Sequence, residues 1–205
     1  MPVKEFLEGL VVEKAPGPAP SFTVFDLVKI LEIIAETGMI GRGKLSEKLG
    51  LGEGATRTLI ARLTDAELIS TSKTGCSLTK KGQKAWKEIK TVLPRKTILG
   101  KNELTFAEHS VAVLVRGRSE NVSKGLEQRD AAVRVGATGA ITLVFRENRL
   151  LLPTISRDVA EAYPKAFRQV ASSMNLEDGD VVIISCADRP REAEYGALAA
   201  AWTVV

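Results

Sequence analysis

Basic and hydroxyl-bearing side chains crowd one stretch of the chain. Positions 42–95 carry twelve Lys/Arg against five Asp/Glu, a net +7, whereas residues 1–41 are net −3 and residues 96–205 are neutral. The whole positive excess of a +4 chain therefore sits in one segment. A localised basic segment beside a neutral one is the electrostatic footprint of a nucleic-acid-binding module. The plainer alternative is a solvated basic surface. Within the segment, Leu59, Ile60 and Leu63 form an apolar stripe at helical spacing, which turns Glu53, Arg57, Thr58, Ala61, Arg62 and Asp65 outward. An outward face with Arg and Thr but little acid in its N-terminal half suits base edges in a major groove. Arg57 is the candidate for a bidentate guanine contact, and Arg62, a turn and a half further on, for a phosphate. Arg42, Lys44 and Ser46 open a short predicted helix and can hold phosphates through side chains and free amides. Lys73 occupies a hairpin tip that can touch backbone or minor groove. Each position also has a plain structural reading. Arg62 can pair with Asp65 or Glu67, and Lys80, Lys81 and Lys84 can form a solvated helix face.

Other chemistries find little support. Residues 38–45, Gly-Met-Ile-Gly-Arg-Gly-Lys-Leu, nearly spell a phosphate-binding loop. Leu45 stands where that loop needs a magnesium-binding hydroxyl, and the segment follows a helix instead of a strand. Two cysteines and one histidine make neither a disulfide scaffold nor a zinc site. Cys76 in the hairpin and Cys186 at the end of an apolar strand read as buried thiols, and His109 as structural. Asp178 and Asp180 flank Gly179 as in a turn. No paired carboxylates or nucleophile–base set stands at informative spacing, so the expectation is no enzyme, no metal and no cofactor. In the neutral half, Arg129, Asp130 and Arg146 are candidates to line a small-ligand pocket.

These side chains need elements to hold them. Apolar residues are 44% and charged residues 26% of 205, enough for packed cores in two domains of about 100 residues. Residues 15–20, Ala-Pro-Gly-Pro-Ala-Pro, read as a stiff spacer. The segment before it, 6–12, fits a helix or a strand. Helical periodicity runs from 21 to 37, then over 44–49, 55–67 and 79–92. Residues 68–72 and 76–78 flank Lys73-Thr74-Gly75 as a hairpin. Further on, a strand is expected at 111–116, a helix at 126–135, a hairpin at 140–153, a long amphipathic helix at 157–174, a strand at 181–186 and a helix at 189–202. The fold class expected is α+β: an N-terminal segment and spacer over 1–20, a winged helix-turn-helix over 21–95, and over 96–205 a two-layer α/β sandwich with a mainly antiparallel sheet.

Three stretches resemble winged helix-turn-helix regulators of bacteria and archaea: Lys44-Leu45-Ser46-Glu47-Lys48-Leu49-Gly50; Thr56 to Leu63 followed by Glu67-Leu68-Ile69; and Leu78-Thr79-Lys80-Lys81-Gly82. The likeness covers about residues 22–93. The module is also similar to the N-terminal domain of sugar-responsive glycolytic repressors, without their large sugar-binding domain. Arg116-Gly117-Arg118 resembles a biotin-ligase repressor motif, but the catalytic region of that family is about twice the length available here. The whole chain resembles an uncharacterised archaeal family that joins a winged helix to an α+β domain similar to the insertion domain of bacterial aspartyl-tRNA synthetases. That resemblance implies an archaeal source and transfers no activity.

The function expected is a cytoplasmic, dimeric transcriptional regulator. Its winged helix binds double-stranded DNA, and its second domain dimerises or senses a small-molecule effector. The alternative is a protein- or RNA-interaction module of the transcription or translation machinery. No secretory signal or membrane span is expected.

Overall fold

The computed structural model describes residues 2–12, 21–153, 155 and 157–205, which form two compact units, the first ending at Ile89 and the second beginning at Lys90. The Pro/Ala spacer expected at 15–20 lies outside the described residues. Among the described residues, no helix is long and apolar enough to cross a membrane.

The first unit runs α1 (Val3–Val11), α2 (Val24–Thr37), α3 (Arg42–Leu49), α4 (Glu53–Asp65), β1 (Ile69–Thr71), β2 (Cys76–Leu78) and α5 (Lys80–Val92). The segment that fitted either a helix or a strand is α1. Helix α2 opens on a capping box, in which the Thr23 amide donates to Asp26 Oδ2 at 2.7 Å. It stops at Gly38, whose positive φ of 73° returns its amide to the Ile34 carbonyl. Leu27, Ile30, Leu31, Ile34, Leu45, Leu49, Leu59, Leu63 and Leu68 are buried together as the apolar stripes of α2, α3 and α4 predict.

β1 and β2 form an antiparallel hairpin with Ile69 opposite Leu78. Ile40 adds a third, one-residue strand: its amide donates to the Cys76 carbonyl at 3.1 Å, and the Cys76 amide returns a bond at 2.8 Å. This bridge sets the start of α3 beside the hairpin. Two glycines are fixed by close approach. A Cβ on Gly75 would lie 2.6 Å from the Ile40 carbonyl oxygen, and one on Gly82 would lie 1.9 Å from that of Leu68. Thr79 caps α5 by accepting the Gly82 amide at 3.0 Å.

The second unit contains β3 (Arg95–Leu99), β4 (His109–Val115), α6 (Leu126–Arg134), β5 (Gly139–Arg146), β6 (Arg149–Leu152), β7 (Arg157–Asp158), α7 (Val159–Ala162), α8 (Pro164–Ser173), β8 (Val181–Ala187) and α9 (Pro190–Trp202). Its six strands are antiparallel throughout, in the order β3-β4-β8-β5-β6-β7. The α+β class is as expected. α6 and α9 cover one face, where a Cβ on Gly196 would strike Ser185 and Ala137. The other face, bearing Ala112, Leu114, Leu143, Val182 and Ile184, packs on Val159, Ala166, Val170 and Met174 of and beside α7 and α8. The expected two layers thus gain a third, shorter one. Strand β8 is buried along its whole length because helices lie on both sides of it.

Two details differ from the sequence expectation. The single helix expected at 157–174 is broken. Pro164 has no amide to donate and disfavours helical geometry in the residue before it, and Tyr163 takes φ −139°, ψ 62°. The N-terminus of α8 is served from elsewhere, by Glu103, whose carboxylate accepts the Ala166 amide at 2.9 Å and the Lys165 amide at 3.2 Å. Strand β3 was not anticipated. It follows Pro94 directly and pairs with β4, Arg95 opposite Leu114.

Candidate nucleic-acid interface

Three elements of the first unit meet around a groove of about 660 Å³. The start of α3 supplies Gly41, Arg42 and Gly43. The outer face of α4 supplies Arg57, Ile60, Ala61, Thr64 and Asp65. The hairpin supplies residues 71–76, with Lys73 at its tip. Helical geometry explains the α4 set: 57, 61, 64 and 65 recur every three or four residues, opposite the buried Leu59 and Leu63. The hairpin tip is tied by short polar contacts. Ser72 Oγ lies 2.7 Å from Thr74 Oγ1 and accepts the Thr74 amide at 3.2 Å, and the Ser72 amide donates to the Gly75 carbonyl at 2.9 Å. Lys73 thus stands on a locally braced turn. Arg42, Arg57 and Lys73 give the groove three cations against the one carboxylate of Asp65. Cys76 lies in its wall. Burial pushes the Cys76 thiol above its ordinary value, and the nearby Arg42 charge opposes that shift.

The structure brings together four of the nine residues expected to contact DNA: Arg42, Arg57, Ala61 and Lys73. Ser46 is occupied locally, donating to the Leu51 carbonyl at 2.6 Å in the turn between α3 and α4. Thr58 donates back to Gly54 at 3.1 Å, an ordinary helical use of its hydroxyl. Lys44 and Glu53 lie in the first turns of α3 and α4, outside the groove lining. Arg62 is engaged elsewhere. It reaches neither the groove nor Asp65 or Glu67. Its Nη1 donates to the carbonyls of Leu10 at 2.6 Å and Val12 at 3.0 Å, and its guanidinium stacks 5.2 Å from the centroid of the Phe22 ring. It satisfies orphan carbonyls at the end of α1, a role that α4's own sequence does not reveal. Asp65, expected to face outward, lines the groove too, and Ser72 and Thr74 line it unannounced. The sequence signal for the two hydroxyls was their place in the predicted hairpin, Ser72 at the end of its first strand and Thr74 in its turn.

The ligand-pocket expectation for the second unit does not hold together. Arg129 and Asp130 pair with each other at 2.9 Å, both about half exposed. Arg146 bonds Ser119 Oγ at 3.1 Å and Glu120 at 2.8 Å instead. Their hydrogen bonds and ion pairs do not join the three into one site. Arg116, from the ligase-like motif, also has a structural task. It donates to the fully buried Asp180 at 2.7 Å, and Asp180 accepts the Gly117 and Glu177 amides as well. Cys186 is fully buried in the sheet core, and His109 lies 3.8 Å from Glu108. Among the described residues, no group of three or more His, Cys, Asp or Glu could hold a metal ion.

Residues 24–84, which include α3, α4 and the hairpin, match the family model described as PH0730-like, N-terminal domain. Residues 106–204 match the model described as Domain of unknown function (DUF4443). A solved structure, the hypothetical protein PH0730 from Pyrococcus horikoshii OT3, is similar at 28% identity and a TM-score of 0.73, over 90% of this chain and 93% of that one. No curated protein matches the sequence. The PH0730-like N-terminal segment holds every residue of the groove, whereas α1 precedes it.

Proposed function

We propose that the first unit binds double-stranded DNA, with the N-terminal half of α4 in the major groove and the hairpin against the backbone, and that the chain is a transcriptional regulator. The observation that carries this reading is the convergence of Arg42, Arg57 and Lys73, from three separate elements, on one open groove. Arg42 and the first amides of α3 hold one phosphate, Lys73 holds another, and Arg57 reads a base edge. Residues 96–205, with no net charge, add little electrostatic affinity for DNA, and the second unit serves dimerisation, effector sensing or both. In a dimer, two copies of α4 would sit about 34 Å apart and read a palindrome.

The test is selection from a randomised duplex pool by the full chain at near-physiological salt. A recovered palindrome that Arg57→Ala relaxes at one position supports the reading. Recovery of unrelated sequences, or preferential capture of RNA, would refute sequence-specific DNA recognition.

A further inference from the structure

Helix α1 packs on α2 and α5, and its C-terminal end is tied to α4. Leu7 is its one fully buried side chain. Phe6 lies under Lys81, with Nζ 5.3 Å from the ring centroid. The last carbonyls of α1, those of Leu10 and Val12, take Arg62. A nine-residue helix is marginal alone, so its order depends on these contacts.

Arg62 sits on the same helix as Arg57, about a turn and a half further along and outside the groove lining. A guanidinium there faces two competing acceptors. The first is the pair of neutral carbonyls at the C-terminal end of α1. The second is a phosphate of any duplex that α4 enters. The guanidinium's bonds to the carbonyls are charge-assisted on the donor side only; a phosphate adds a full opposite charge and a bidentate match, so phosphate is the stronger acceptor at close range. The end of α1 is also a poor neighbour for DNA. It carries the negative pole of the helix, and Glu5 and Glu8 add acid against the single Lys4.

We propose that α1 is an internal competitor for nucleic acid: docked, it occupies Arg62 and lowers affinity, and DNA releases it by transferring Arg62 from carbonyls to phosphate. The inference rests on the DNA-binding reading above.

Hydrogen exchange on the full chain, with and without a randomised duplex, tests it directly. Amides of residues 6–12 should lose protection when DNA is bound. In parallel, Leu7→Ser weakens the docking without adding charge. It should bind duplex about fivefold more tightly near 0.15 M salt because α1 no longer has to be displaced, with an unchanged salt slope because Arg62 meets phosphate in both complexes. Adding Arg62→Ala to Leu7→Ser should erase that gain. Retained protection of α1 in the complex, or unchanged affinity of Leu7→Ser with the exchange pattern of the remaining fold intact, overturns the proposal. Duplex binding by Leu7→Ser alone supports both readings in their strongest form. No duplex binding by either chain overturns both.

Discussion

Removing Lys73 should flatten the salt dependence of DNA binding by a calculable amount. Two groove side chains are placed for phosphates, Arg42 at the start of α3 and Lys73 at the hairpin tip, while Arg57 faces the bases; Arg62, once transferred from α1, supplies a third contact. Each neutralised phosphate contributes about −0.9 to the slope of log affinity against log salt, so one bound protomer should show about −2.7. Raising salt from about 50 to 200 mM then weakens binding about 40-fold. Lys73→Ala leaves two such contacts and a slope near −1.8, so the same change of salt costs only about 12-fold. The substitution should spare the fold, because the turn is held by Ser72, Thr74 and Gly75 and not by the lysine side chain. Fluorescence anisotropy with a labelled duplex of mixed sequence measures both slopes. Arg129→Ala, in the neutral 96–205 stretch, is the control and should leave the slope as it was. A Lys73→Ala slope equal to that of the unaltered chain would show that the hairpin does not meet phosphate.

Three further outcomes concern the supporting framework. Arg116→Ala leaves the buried Asp180 carboxylate without its charged partner and should cost about 3–5 kcal/mol in urea unfolding followed by Trp202 fluorescence in a Trp86→Phe background. A loss under about 1 kcal/mol would mean that the pair is not structural. Gly82→Ala forces a Cβ into the Leu68 carbonyl and should destabilise the first unit by about 3 kcal/mol, seen as a lower melting temperature. An unchanged melting temperature would contradict the close packing of α5 on β1. For Glu103, desolvation pushes the carboxyl up, but hydrogen bonds from its own, the Ala166 and the Lys165 amides, with the Lys165 charge, take it below its ordinary 4.5. A depressed folded value stabilises above the unfolded one and is lost as pH falls through the folded one. The stability gap between the unaltered chain and Glu103→Gln should therefore be constant near neutrality and close below about pH 4.5. A gap that persists undiminished at pH 2 would show that Glu103 does not act as a charged cap.

How much of this was legible in the chain depends on whether the cause was local. Periodicity placed α2, α3, α4, α5, α6 and α9, because a buried stripe repeats along each helix and is written in consecutive residues. Thr79, Gly75 and Gly82 marked the hairpin and its exit through the same local geometry. Pro164 was visible but was read through, since the amphipathic pattern on either side is continuous and only the backbone constraint breaks it. Strand β3 carries two charges in five residues and half-exposed side chains, so its identity comes from pairing with β4 and not from its own pattern.

The candidate site divides along the same line. The sequence by itself determined that positive charge is concentrated in 42–95, that Arg57 and Ala61 face outward on one helix, and that Lys73 stands at a turn. Only the tertiary structure decided which of these residues share a groove. The Ile40–Cys76 bridge draws the start of α3 to the hairpin, and that pairing spans 36 positions that no local pattern links. The fate of Arg62 was likewise decided at long range. Its partners lie about fifty residues upstream, and a guanidinium bonds to whichever orphan acceptors the packed chain brings within reach.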